Sequence, residues 1–310
     1  MRRRTILGAL PAIAGLGLPA AGGARPAAKD RNRSNTGPEK RRRPFIEAGD
    51  GTNLFHLDWG SGRPVLFLHG MGSNCRQWQY NMVPLADRGL RCIAYDRRGH
   101  GRSDDPGTGY TYDVLADDLA RVIDQLGLTH AVLVGQSMGA GEIVRYLSRY
   151  GAERMAGVVM IGPTLPFMLK TADNPDGVDR GALDKLRAAW SKDYPGWIAK
   201  NARPLFTPDT SDAQVEWGVN LMMQASLKAI MDCNHAVTET DFRSELTRIT
   251  VPTLIVHGDQ DVSAQVDFTG RRTAKLIPDS KLKVYAGAAH GLFITHAQRF
   301  NDDLLDFIAG

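Results

Sequence analysis

Residues 131–141 read Ala131-Val132-Leu133-Val134-Gly135-Gln136-Ser137-Met138-Gly139-Ala140-Gly141. An apolar, β-branched run stops on the pattern G-x-S-x-G and continues into a segment of helical character. Such a run is a buried strand, and the glycines around the serine suit a turn where a Cβ would strike neighbouring backbone. A serine on a tight strand-to-helix turn is presented at its crest, so Ser137 is the candidate nucleophile. Three fixed positions are weak evidence alone, because a Gly-rich turn of this kind also suits a phosphate or no ligand at all. The rest of the chain has to decide.

Outward from this stretch, short β-like runs alternate with longer amphipathic ones, the pattern of a mostly parallel sheet with helices on both faces. Strands are expected at Asn53–Asp58, Pro64–Leu68, Arg91–Tyr95, Ala131–Gly135, Val158–Gly162, Thr253–His257 and Leu282–Tyr285. Helices are expected at Trp78–Arg88, Tyr112–Leu126, Met138–Tyr150, Val266–Leu276 and Gln298–Ile308. In the second of these, Leu115, Leu119, Val122, Ile123 and Leu126 recur on one face. Between Pro163 and about Arg248 strand signals vanish, leaving Pro/Gly breaks and helical pieces that carry Trp190, Trp197, Trp217, Met222, Met223 and Met231. That segment reads as a helical lid over about 164–248. Its aromatic and Met side chains serve either its own packing or the roof of an apolar pocket.

The 310 residues carry a formal charge of +4, but the charge is unevenly placed. Residues 1–44 hold 11 Lys and Arg against 2 Asp and Glu, leaving 27 against 32 over 45–310. The folded body is therefore mildly acidic, and nucleic acid is not an expected partner. Met1-Arg2-Arg3-Arg4-Thr5-Ile6-Leu7, followed by an Ala/Gly/Leu-rich stretch to Ala24, resembles a twin-arginine export signal, which implies a periplasmic or secreted protein. Pro11 and Pro19 weaken a stable span, although an uncleaved membrane anchor is the alternative. Residues 25–44 read as a basic disordered linker, and the fold is expected over 45–310. Cys75, Cys92 and Cys233 show no paired spacing and define no disulfide framework, with a Cys75–Cys233 bridge left open.

A serine hydroxyl becomes a nucleophile near neutral pH when a base takes its proton, and that base needs a carboxylate to hold its tautomer. Beyond Ser137 the chain supplies Asp261, in Leu254-Ile255-Val256-His257-Gly258-Asp259-Gln260-Asp261, and His290, in Gly287-Ala288-Ala289-His290-Gly291. Both follow expected strands, at the carboxyl edge where sites gather in open α/β sheets. Asp259 competes with Asp261, since alternate positions of an extended segment point the same way; Asp261 is preferred because it lies deeper in the loop. His296, His257, His69 and His100 compete with His290, whose Gly-flanked loop position favours it as base. Acyl transfer also needs N–H donors for the developing oxyanion. Met138, directly after the nucleophile, and Met71, in Phe67-Leu68-His69-Gly70-Met71-Gly72, are the candidates. Cys233-Asn234-His235 and His257-Gly258-Asp259 lack partners at metal-site spacing, and Gly15-Leu16-Gly17 follows no strand, so neither metal nor dinucleotide is expected.

Longer patterns accompany these residues: Tyr95-Asp96-Arg97-Arg98-Gly99-His100-Gly101-Arg102-Ser103, Ser137-Met138-Gly139-Ala140-Gly141-Glu142 with Arg145-Tyr146, Glu239-Thr240-Asp241-Phe242, and Gly287-Ala288-Ala289-His290-Gly291-Leu292. Over about residues 45–310 the chain resembles the cofactor-free haloperoxidase/arylesterase branch of the α/β-hydrolases. The resemblance implies a Ser-His-Asp triad, an acyl-enzyme intermediate, ester hydrolysis and no haem, metal or other cofactor. Many members also carry out perhydrolysis, in which peroxide replaces water. Met71 stands where members commonly have Trp or Phe, Gln136 where they have Phe, and Val262-Ser263-Ala264-Gln265-Val266 replaces a Val-Pro run. A differently shaped, more polar acyl pocket is expected.

The expected architecture is α/β: an α/β-hydrolase fold with a mostly parallel eight-stranded sheet flanked by helices and a helical lid inserted after strand 6. The expected activity is hydrolysis of a small or medium carboxylic ester by Ser137, Asp261 and His290, with Met71 and Met138 N–H groups as oxyanion donors. Perhydrolysis at the same triad is the alternative, and a non-catalytic ligand-binding protein on the same fold is the second.

Overall fold

A computed structural model describes residues 44–310. The leader expected at 1–24, and the linker as far as residue 43, lie outside the described residues. Eight strands form one sheet in the order β1-β2-β4-β3-β5-β6-β7-β8. In chain order the elements are β1 (Phe45–Glu47), β2 (Asn53–Gly60), β3 (Arg63–Leu68), α1 (Gln79–Asp87), β4 (Leu90–Tyr95), α2 (Tyr112–Gln125), β5 (Ala131–Gln136), α3 (Met138–Tyr150) and β6 (Met155–Ile161). Then come α4 (Arg180–Asn201), α5 (Asp212–Met222), α6 (Leu227–Glu239), α7 (Arg243–Leu246), β7 (Thr253–Gly258), α8 (Gly270–Leu276), β8 (Lys281–Tyr285), α9 (Leu292–Thr295) and α10 (Ala297–Ala309). The β1–β2 and β2–β4 pairs are antiparallel; every later pair is parallel.

The unbroken apolar runs of the central strands follow from coverage on both faces. In β5, Ala131 and Leu133 enter a core with Leu66, Leu68, Met160 and the apolar stripes of α2 and α3. Val132 and Val134 point the other way, to Val65, Phe67, Trp78, Met82, Phe300 and Leu304. On α2, Leu115, Leu119, Val122 and Ile123 are buried as expected, and Leu126 packs half-buried against the same cluster. Thr111 caps this helix by accepting from the Val114 N–H.

Several boundaries move. β1 was not expected, because three residues with one buried side chain, Ile46, leave too short an alternation to read. β6 begins at Met155 rather than Val158. The helix expected from Trp78 opens as a 3-10 turn over Cys75–Trp78, capped by the Asn74 side chain. α8 begins at Gly270 rather than Val266, and the Thr269 hydroxyl bonds back to Ala264 and Gln265 carbonyls. Between β6 and β7 the chain holds α4–α7. α4 is kinked at Asp193 (φ −160°, ψ 77°), whose side chain accepts from the Gly196 N–H and so caps a new helical turn, where Pro195 sits in the first turn and its missing N–H costs nothing. Among the described residues no helix is long and apolar enough to cross a membrane. All three cysteines are free and buried.

Candidate active site

The first-described stretch builds its turn as its glycines require. Leu68 of β3 lies opposite Gly135 of β5, and Gln136 opposite Ile161 of β6. At the strand end Ser137 takes φ 54° and ψ −116°, a conformation that costs a non-Gly residue on the order of 1–3 kcal/mol. Its N–H is held by the Ile161 carbonyl at 2.8 Å. A Cβ on Gly135 would lie 2.6 Å from the Gly139 carbonyl, and one on Gly139 would lie 2.7 Å from the Leu68 carbonyl oxygen. The helix therefore starts against the strand tops, with Ser137 at the corner.

Asp261 and His290 meet. They lie on loops after β7 and β8, and His290 Nδ1–H donates to Asp261 Oδ2 at 2.7 Å. Asp261 Oδ1 accepts from the Ser263 and Ala264 N–H groups at 2.9 and 2.8 Å. Burial opposes charge on Asp261, but the charge of His290 and the hydrogen bonds outweigh it and hold the carboxyl well below the usual range. For His290 burial alone would lower the pKa; the Asp261 charge and hydrogen bond reverse that and raise it above 6.5. Asp259 is exposed and binds the Gly287 N–H at 2.8 Å, away from His290. Asp261 rather than Asp259 contacts His290 because the chain turns at Asp259–Gln260 and the expected alternation is lost.

Ser137 and the Asp261–His290 pair flank the Ile161–Gly162 strand end. A Cβ on Gly162 would lie 3.1 Å from both Asp261 Oδ2 and His290 Nδ1, one residue beyond the carbonyl that holds Ser137. No hydrogen bond joins the Ser137 hydroxyl to His290 among the described residues, and such contacts commonly tighten only with substrate present. A Cβ on Gly70 would lie 3.5 Å from Ser137 Cβ and 2.1 Å from Gln136 Oε1, so the His69–Gly72 loop runs beside the serine and the Gln136 amide lies against it.

The other histidines have different tasks. His69 Nε2 accepts from the Arg97 N–H at 3.0 Å while Nδ1–H donates to the Gly70 carbonyl at 2.8 Å, fixing a neutral tautomer. Burial, reinforced by Arg97, holds its pKa well below 6.5. His100 Nε2 accepts from the Gly72 N–H at 3.3 Å, and burial brings His100 to about 3. His296 contacts the Thr295 hydroxyl at 2.9 Å. His257, which the sequence offered only as a rival base, contacts the site: its Nε2–H donates to the Ala264 carbonyl at 2.6 Å and lies 3.2 Å from Asp261 Oδ2. Its place four residues before Asp261 at a strand end is the only signal the sequence carries for that contact.

Helices α4 and α6 approach the same loop, since a Cβ on Gly72 would lie 2.9 Å from Ile230 Cδ1 and 3.2 Å from the Tyr194 hydroxyl. The Gly291 N–H, beside His290, donates to the Leu205 carbonyl at 2.7 Å. Trp190 is buried against Tyr194 and Trp197, whereas Trp217 packs edge-on to Tyr80, with ring centroids 5.6 Å apart, outside that cluster.

A family profile described as the alpha/beta hydrolase fold matches residues 63–297. This chain belongs to the α/β-hydrolase family. Within it, the chain is 40% identical over 271 residues to a non-heme haloperoxidase of Rhodococcus erythropolis, covering 86% of this chain and 99% of that one. It is 36% identical over 278 residues to a bifunctional esterase/perhydrolase of Acinetobacter calcoaceticus, covering 85% and 99%. An esterase structure from Exiguobacterium antarcticum superposes with a TM-score of 0.83 at 32% identity, covering 86% and 99%. These relatives place this α/β-hydrolase in the haloperoxidase-like branch that its longer patterns resembled.

Proposed function

We propose that this α/β-hydrolase cleaves small or medium carboxylic esters through an acyl-enzyme on Ser137. The observation that carries the reading is the half-buried Asp261–His290 hydrogen bond of 2.7 Å, seated behind the strand end that holds Ser137. In the proposed reaction Ser137 Oγ attacks the ester carbonyl while His290 Nε2 takes its proton. The tetrahedral oxyanion is met by the N–H groups of Met71 and Met138, neither of which has an acceptor among the described residues. His290 returns the proton to the departing alcohol, then deprotonates a water that attacks the acyl-enzyme, and Asp261 keeps Nδ1–H pointed away from the serine throughout. The helices between β6 and β7 act as the lid, and the Gln136 amide gives the acyl side a polar wall.

The Acinetobacter relative supports a second reaction at the same serine, with hydrogen peroxide replacing water and a peracid leaving. Hydrolysis of an aryl-ester panel by residues 45–310, with and without peroxide, tests both. Peracid formation from a carboxylate and peroxide supports the second reaction, and its absence alongside good esterase activity removes it. Ser137→Ala should abolish turnover without unfolding the chain, and retained hydrolysis by that variant sinks the assignment. Labelling of Ser137 by a fluorophosphonate separates the enzyme from a non-catalytic binding protein. The leader is proposed to direct export and then be removed, which the N-terminal sequence of the mature protein would test.

A further inference from the structure

Behind the loop that offers Met71 lies a charged pair closed off from water. Arg97, just beyond β4, is 1% exposed and Glu142, on α3, is 0% exposed. Arg97 Nε donates to Glu142 Oε2 at 2.8 Å, and Nη2 lies 2.7 Å from the same oxygen. Glu142 Oε1 also accepts from the Tyr95 hydroxyl. Such a pair is a poor source of stability, because desolvating two charges offsets most of their attraction. Its placement accounts for it better than its energy does.

Arg97 meets His69 three times: Nη2 donates to the His69 carbonyl at 2.9 Å, the main-chain N–H donates to ring Nε2 at 3.0 Å, and Nη1 lies 3.2 Å from ring Nδ1. One guanidinium thus joins the loop after β3 to the helix whose first residue is Met138. Each proposed oxyanion donor belongs to one of those two segments. Within the loop, the His69 carbonyl goes to Arg97, the Gly70 carbonyl to His69 Nδ1–H and the Ser73 N–H, and the Gly72 N–H to His100. Met71 N–H is left over, and the frame fixes where it points.

We propose that Arg97 and Glu142 are positioning residues that set the spacing between the Met71 and Met138 N–H groups, so that the oxyanion finds both donors already in place. The proposal rests on the ester-hydrolase reading above. It assigns the pair no contact with substrate, and its effect belongs to the transition state: donors fixed before the reaction stabilise charge that develops only during it. Lysine at 97 retains the positive charge but has one freely rotating ammonium in place of a rigid plane, so the paired Nε and Nη2 contacts to Glu142 that fix the side chain's orientation are lost.

The test compares wild type with Arg97→Lys and with Arg97→Met/Glu142→Met, the second removing both charges so that neither is left buried alone. Steady-state aryl-ester hydrolysis and the affinity of an alkyl boronic acid, which forms a tetrahedral adduct on the serine, are measured on each variant shown folded by near-UV circular dichroism. Both variants are expected to lose about 10²-fold in kcat with KM within threefold, boronate affinity falling in parallel. Fluorophosphonate labelling of Ser137 should persist. A folded variant whose kcat stays within threefold of wild type overturns the proposal, as does a loss confined to KM. Failure of the ester-hydrolase reading is distinct, since wild type itself would then neither turn over esters nor take the fluorophosphonate.

Discussion

Asp261→Asn isolates the charge at the centre of the proposed triad while keeping nearly the same shape. Asp261 Oδ1 receives two backbone N–H groups, and Oδ2 faces His290 Nδ1 at 2.7 Å and His257 Nε2 at 3.2 Å. With asparagine the single oxygen is claimed by the backbone donors, and the amide NH2 faces two ring nitrogens. His290 then responds by exposing a bare Nδ1 and carrying its proton on Nε2, where it cannot accept from Ser137. A carboxylate and an imidazolium 2.7 Å apart attract by about 6 kcal/mol at an effective dielectric of about 20. At about 1.36 kcal/mol per decade, that agrees with a loss of about 10⁴-fold in kcat for a triad deprived of its charge. Initial rates on an aryl ester measure it, with Asp259→Asn as the control because the exposed Asp259 carboxylate meets the Gly287 N–H and the Gln260 amide and not His290. Wild-type-like turnover in Asp261→Asn, or a larger loss in Asp259→Asn, would refute the reasoning.

The pH profile should follow from the same pair. In the proposed triad His290 works as the neutral base, and its pKa is raised above 6.5, so kcat/KM should fall as pH drops through a value above 6.5. In the residual activity of Asp261→Asn that limb should move to lower pH, since burial then acts without the opposing charge. Gly135→Ala should cost about 1–3 kcal/mol in urea unfolding, because its Cβ would meet Gly139 backbone at 2.6 Å, whereas Gly49→Ala, with open space around it, should be nearly neutral. Burial pushes the Cys92 and Cys233 thiols up to about 12, and an aromatic disulfide reagent should modify none of the three cysteines until the protein is unfolded. Rapid labelling of the native protein would contradict that burial.

The central strands were legible because residues buried on both faces leave unbroken β-branched runs, as at Val132–Val134. The meeting of Asp261 with His290 was prefigured too, since each follows an expected strand, observed as Thr253–Gly258 and Lys281–Tyr285. Less was legible where chemistry depends on depth. Arg97 and Glu142 are charged types that sit on surfaces in most proteins, and only a folded neighbour can show that each is the other's partner. The contact of His257 with Asp261 depends on a turn whose direction strand periodicity does not encode. The helices between β6 and β7 were expected only as a group, because the packing of Trp217 on Tyr80 reflects long-range contacts rather than local pattern.

The anchoring of Asp261 has a mechanical side. Its carboxylate is pinned by two backbone N–H groups and crowded by a buried histidine, with the pocket closed behind it at Gly162. It cannot travel with the imidazole it supports. In the proposed reaction the proton passes from serine to leaving group and later from water back to serine, and His290 has to serve each in turn. With its Nδ1 corner held, the ring is left one inexpensive freedom, a small swing about that hydrogen bond. In that proposed reaction Asp261 is a bearing as well as a charge, confining the base to the short arc along which the proton transfers take place.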